Sequence, residues 1–153
     1  MTPSPQQRDP NRFLKRTMVH ILLVEDNPAD VLMIREALRE SPIAADVMIA
    51  YDGEQAIRLL EQMAFKPDFI ILDLNIPKFD GHQILERYHS GGAPIVVFTS
   101  SSNGEDKRRA LASGAWDYVV KPTGFKAFMR AVQGMLERWG NSQRGQTLAE
   151  DRR

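Results

Sequence analysis

Cysteine is absent from the 153-residue sequence. That excludes disulfides, thiol nucleophiles and thiolate metal sites. No apolar run approaches the roughly 20 residues that span a bilayer. The N-terminus also lacks the apolar stretch of a secretory signal. Net charge is missing too, because 20 basic residues balance 20 acidic ones. DNA and anionic membranes usually call for a basic surface, so neither is expected as a partner. What remains is a globular composition, with 42% hydrophobic and 26% charged residues. Such a chain buries a core, and its length suits one domain of ordinary size. A soluble cytoplasmic protein is expected.

The ends differ from the middle. Residues 1–17 (MTPSPQQRDPNRFLKRT) are rich in Pro, Gln and Arg and lack apolar periodicity. They are expected to form a flexible arm, and Met18, which opens the compact pattern, is a second candidate start. Residues 141–153 (NSQRGQTLAEDRR) are polar and are expected to fray. The domain proper is expected at 18–140, with nothing after it long enough to fold as an output domain.

Within 18–140, short apolar runs fall at 20–24, 47–50, 69–72, 95–98 and 118–120. They are continuous rather than alternating, as strands covered on both faces are. A helix signal follows each. Asn27 can cap a helix with Pro28 at its first position and Val31, Ile34 and Leu38 on one face. Asp52-Gly53 precedes a helix whose apolar side carries Ala56, Leu59, Leu60 and Met63. Asp80-Gly81 precedes one with Ile84 and Leu85. Ser102 or Asn103 can cap one that has Glu105 and Asp106 in its first turn, which suits the helix dipole. Thr123 can cap the last, where Phe125, Phe128, Met129, Val132, Leu136 and Trp139 recur at three- and four-residue steps. Five strands alternating with five helices predict an α/β fold: a doubly wound, five-stranded parallel sheet. In such sheets ligands bind outside the carboxyl ends of the strands.

Polar residues collect at those ends. The first run stops at Glu25-Asp26, the third at Asp73, the fourth at Thr99-Ser100 and the fifth at Lys121-Pro122. Singly each reads as a turn, strand or surface residue. Together they put three carboxylates, a hydroxyl and an ammonium on one edge. Clustered carboxylates repel unless a cation joins them. A hard ion such as Mg²⁺ takes oxygen ligands and keeps waters that a phosphate can replace. Lys121 and Thr99 could hold phosphoryl oxygens, and Asp73 could act as nucleophile to give an aspartyl phosphate.

The segments ILLVEDNPAD, ILDLNIPKFDG, VVFTSS and YVVKP, in this order and spacing, resemble the receiver domain of two-component response regulators. The resemblance spans roughly residues 19–140. It implies a flavodoxin-like fold with strand order 2-1-3-4-5, Asp73 as phosphoacceptor and Mg²⁺ as cofactor. Glu25 and Asp26 would form the acidic pair, with Asp26 the direct ligand, and Asn75 would offer its backbone carbonyl to the metal. Thr99 would be the switch hydroxyl and Lys121 the phosphoryl contact, with a cis peptide bond before Pro122. Tyr118, three residues before the lysine, would move inward as Thr99 turns, changing the surface of the fourth helix, fifth strand and fifth helix. Ser101, with Asn75, is expected to face the site and tune hydrolysis. The acidic pair is Glu-Asp where many relatives have Asp-Asp, which leaves metal binding in place. His20, His82 and His89 show no metal-ligand spacing and are taken as structural.

The expected function is phosphorelay signalling by a stand-alone receiver, not an enzyme with a free substrate. A sensor histidine kinase or histidine phosphotransfer protein would phosphorylate it. Its motifs are most similar to the small receivers that partner phytochrome-type kinases. A homodimer through the last-helix face, with Trp139 exposed, is expected. Two alternatives stand beside this. A haloacid-dehalogenase-type phosphatase also uses a strand-end Asp, but needs a second Asp where Asn75 stands. A degenerate receiver would act only as a scaffold.

Overall fold

The computed structural model describes residues 18–62, 66–89 and 91–151. The arm expected at 1–17 and the helix-face residue Met63 lie outside the described residues. Ten elements follow in order: β1 (Val19–Val24), α1 (Pro28–Glu40), β2 (Ala45–Ala50), α2 (Gly53–Glu61), β3 (Phe69–Leu72), α3 (Gly81–Tyr88), β4 (Ile95–Thr99), α4 (Gly104–Ala112), β5 (Asp117–Val120) and α5 (Phe125–Asp151). The strands form one parallel sheet in the order β2-β1-β3-β4-β5.

The continuous apolar runs have a direct cause. Successive strand residues point to opposite faces, and both faces are buried in the inner strands β1, β3 and β4, whereas the edge strands β2 and β5, expected to be covered alike, leave Met48 and Val120 exposed. Ile21, Leu23, Phe69, Ile71, Val96 and Phe98 pack on Ile34 of α1 and on Phe128, Leu136 and Trp139 of α5. Leu22, Val24, Ile70, Leu72 and Val97 pack on Ala56, Ile84, Leu85 and Ala110 from α2, α3 and α4.

Each crossover helix starts at its expected cap. Asn27 Oδ1 accepts from the amides of Ala29 and Asp30, Asp52 caps α2, Asp80 caps α3 in a capping box, and Asn103 caps α4. The caps therefore aim four helix N-termini at the carboxyl edge of the sheet, where donors for an anion are useful.

Four expectations are corrected. Thr123 does not cap α5: the Phe128 amide donates to Gly124 O, and Gly124 takes φ 92, which favours glycine. The segment from 141, expected to fray, continues α5 as far as Asp151. Its outer part is polar yet contains no proline, so a helix already nucleated on the core simply propagates. Trp139 is not exposed: it is 9% accessible and its ring lies 5.9 Å from that of Phe69. Its place four and seven residues after Leu136's stripe partners Met135 and Val132 puts it on the buried side of α5. No cis peptide bond occurs among the described residues, so Lys121–Pro122 is trans, the isomer X–Pro bonds prefer.

Candidate functional site

Three parallel strands deliver the acidic residues and the lysine to one point. Glu25 follows β1, Asp73 follows β3 and Lys121 follows β5, each fixed by a backbone hydrogen bond to a neighbouring strand: Glu25 N to Ala50 O, Asp73 N to Val24 O, and Lys121 N to Thr99 O. Glu25, Asp73 and Thr99 are all buried. The loop that carries Asp73 is held from behind by α3. A Cβ on Gly81 would stand 2.6 Å from Leu74 Cα and 2.8 Å from Asp73 O. The glycine of NIPKFDG is therefore there to let the helix start against the Asp73 loop.

At the centre is the Lys121 ammonium. Its Nζ donates to Glu25 Oε2 at 2.8 Å, Asp30 Oδ2 at 2.8 Å and Asp73 Oδ2 at 2.9 Å. The second oxygen of Asp73 accepts from the Asn75 amide at 3.1 Å, and that of Glu25 from the Asn27 amide at 3.0 Å. Burial disfavours the charge on Lys121, but the bonds to Asp30, Glu25 and Asp73 outweigh it and raise the amine above its ordinary value. Burial pushes the Glu25 carboxyl up to about 7, against the hydrogen bond from Lys121 and with the help of the Asp73 charge.

That surplus of negative charge is the test for a metal. Ligand oxygens of Glu25, Asp26 and Asp73 all lie within 4.8 Å of one another. One lysine stands among four carboxylates, Glu25, Asp26, Asp30 and Asp73, so its single charge does not balance theirs. All the side-chain donors are oxygens, which suits a hard divalent cation. The residues fit such an ion. Asp26 is exposed and open to it, and Asn75, also exposed, lies beside Asp73.

A second polar group lies on the α4 side. Thr99 is fully buried and its Oγ1 accepts from the Ser101 amide at 3.4 Å. Ser101 does not present its hydroxyl to Asp73: Oγ donates to Asp106 Oδ2 at 2.6 Å. That bond holds the Asp106 carboxyl below its ordinary range. Tyr118 is buried, and its hydroxyl donates to Ser101 O at 2.8 Å, so the ring already lies inside in this structure. His82, 4% exposed, lies beside Asp106, with Nε2 3.6 Å from Oδ1 and neither ring nitrogen in a hydrogen bond.

Glu25, Asp26, Asp73 and Lys121 thus come together, while Thr99 ends β4 bonded to the Ser101 amide and the Ser101 hydroxyl is turned aside. Asp30 was missed. Its signal was its place as third residue of a helix that begins at a strand's carboxyl end. A cleft of about 430 Å³ opens onto Lys121, lined by Asn27, Asp30, Met33, Ser100 and Phe125 among others. A larger cavity, about 1050 Å³, lies beside Asp68, Pro94 and Trp116 at the opposite end of the strands, away from this chemistry.

The family model for the response regulator receiver domain matches residues 21–133. Response regulator Rcp1 of Synechocystis sp. is 34% identical over 128 residues, covering 78% of this chain and 87% of that protein. The crystal structure of the phosphorylated cyanobacterial phytochrome response regulator RcpA superposes with a TM-score of 0.77 at 34% identity, covering 82% of this chain and 96% of that one. The Mn²⁺-bound form of Rcp1 gives a TM-score of 0.74 at 33% identity, over 79% of this chain and 94% of that one.

Proposed function

Because the chain belongs to the response regulator receiver family, we propose that it acts in phosphorelay signalling as a single-domain response regulator phosphorylated on Asp73. The observation that carries this is the Asp73 carboxylate, set at the end of β3 with the Lys121 ammonium 2.9 Å away. The donor is a sensor histidine kinase or a histidine phosphotransfer protein. A phytochrome-type kinase is the favoured sensor, supported by the likeness to RcpA. An Asp73 oxygen forms the new bond to phosphorus as the donor's P–N bond breaks, and the imidazole nitrogen keeps the electron pair. Lys121 meets the phosphoryl oxygens with its ammonium, and the Thr99 hydroxyl turns to them.

Glu25, Asp26, Asp73 and the Asn75 carbonyl would hold Mg²⁺. The ion supplies positive charge where the transferred oxygens carry negative charge. The phosphatase alternative lacks its second Asp, and the family match removes its other support. Beyond its own phosphorylation and dephosphorylation the protein turns nothing over.

Output is contact with another protein or a second copy. Thr99 and Tyr118 transmit the change to the face of α4, β5 and α5, where Leu111, Trp116, Val120 and Phe125 are exposed. Trp139, being buried, has no part in that face. Among the described residues no helix is long and apolar enough to cross a membrane, and DNA is not a partner. Light scattering on the protein with and without phosphorylation reads the homodimer. A monomer in both states removes it.

The acceptor is tested with acetyl phosphate and Mg²⁺. Intact mass is expected to rise by one phosphoryl group in the native protein and not in Asp73→Asn or in the presence of a chelator. A phosphoryl group that persists in Asp73→Asn would refute the assignment.

A further inference from the structure

Asp30 is the one carboxylate on Lys121 that stands outside the acidic trio of Glu25, Asp26 and Asp73. A lysine ammonium has three protons. Here Glu25, Asp30 and Asp73 take all of them, at 2.8, 2.8 and 2.9 Å. No proton is free for a phosphoryl oxygen. When Nζ moves toward one, its existing bonds lengthen, and the acceptor that water can best serve gives way.

The three acceptors differ in that respect. The side chains of Glu25 and Asp73 are 2% and 7% exposed, whereas that of Asp30 is 16% exposed and lines the cleft that opens onto Lys121. Asp30 also sits in the first turn of α1, where the helix N-terminus favours a carboxylate without any partner. It can lose the lysine at the least cost.

We propose that Asp30 is a positioning residue that holds the Lys121 ammonium in the resting protein and is displaced when a phosphoryl group forms on Asp73. This rests on Asp73 being the acceptor. Asp30 then acts in two opposite ways. Its charge adds to the pull on a divalent cation, and its bond to Lys121 competes with the phosphoryl oxygens. Phosphorylation also frees the first turn of α1 from the lysine.

The test is Asp30→Asn, which keeps the shape and removes the charge, with Asp30→Glu as the conservative control. Calorimetric titration with Mg²⁺ alone is the first readout. Titration with beryllofluoride at saturating Mg²⁺, as a stable phosphoryl mimic, is the second. In Asp30→Asn, Mg²⁺ binding is expected to weaken about fivefold and beryllofluoride binding to tighten about tenfold, the scale of one charge-assisted hydrogen bond. Asp30→Glu is expected to return both toward the native values. A residue that merely supports the fold would weaken both, and that result overturns the proposal, as does unchanged beryllofluoride affinity. If the native protein binds no beryllofluoride, the acceptor assignment fails and the proposal with it. If the native protein binds but Asp30→Asn does not tighten, the proposal fails alone.

Discussion

The two polar groups that flank Asp73 are built differently. On the α1 side every proton of the Lys121 ammonium is bonded to a carboxylate, and the lysine side chain is 7% exposed. On the α4 side the side-chain links are single: Tyr118 to Ser101 O, Ser101 to Asp106, and a His82 ring that makes no hydrogen bond and stands 3.6 Å from Asp106. One half is a saturated ionic cluster and the other a chain of separate bonds between neighbouring loops. Such a cluster depends on its central cation, because removing the lysine exposes every buried carboxylate it serves. A chain of single bonds can exchange one link at a modest cost.

The comparison breaks most visibly at Lys121. Lys121→Met leaves the buried carboxylates without their cation. Stability in chelator is expected to fall by about 3 kcal/mol, with part of that recovered in Mg²⁺. Urea denaturation with and without the ion measures it, and equal losses in both would mean that the carboxylates are not what the lysine serves. Next is Gly81→Ala. Its Cβ would overlap Leu74 Cα at 2.6 Å, so a loss of about 2 kcal/mol is expected together with slower phosphorylation, since the displaced loop carries Asp73. Phosphorylation at the native rate would show that the loop yields without moving the carboxylate.

Smaller effects belong to the other side. Tyr118→Phe removes one hydroxyl bond to Ser101 O, and a loss of about 1 kcal/mol is expected in thermal unfolding. His82→Leu should change stability by less than about 1 kcal/mol despite the burial of His82, because the ring makes no hydrogen bond and loses only a 3.6 Å contact with Asp106. A drop of several kcal/mol there would show that His82 is bonded after all and that the α4 side is less loosely tied. Decay of the phosphoryl group gives a finer contrast. Asn75→Ala is expected to alter the rate more than Ser101→Ala, since the Ser101 hydroxyl is turned to Asp106.

How far the sequence could be read follows the range of the interactions. Strands buried on both faces announce themselves in single runs such as FIIL and IVVF, and the caps Asn27, Asp52 and Asp80 act within three residues of themselves. Glu25, Asp73, Thr99 and Lys121 were legible because each ends a strand, and a parallel sheet brings those ends to one edge. The Asp30–Lys121 bond was not, because it joins positions 91 residues apart and a first-turn Asp already has a local reason to be there. Trp139 belonged to the same stripe as Val132, and its burial could have been read from that spacing. The direction of the Ser101 hydroxyl depends on Asp106, five residues on and across a loop, which no periodicity encodes.

The most direct measurement is to locate the phosphoryl group itself. The protein is treated with acetyl phosphate and Mg²⁺, the acyl phosphate is reduced with borohydride, and the peptides are mapped by mass spectrometry. Reduction is expected at Asp73 alone and lost in Lys121→Met. Reduction at Glu25, Asp26 or Asp30 instead, or at none of them while the metal still binds, would contradict the assignment of Asp73 as the acceptor.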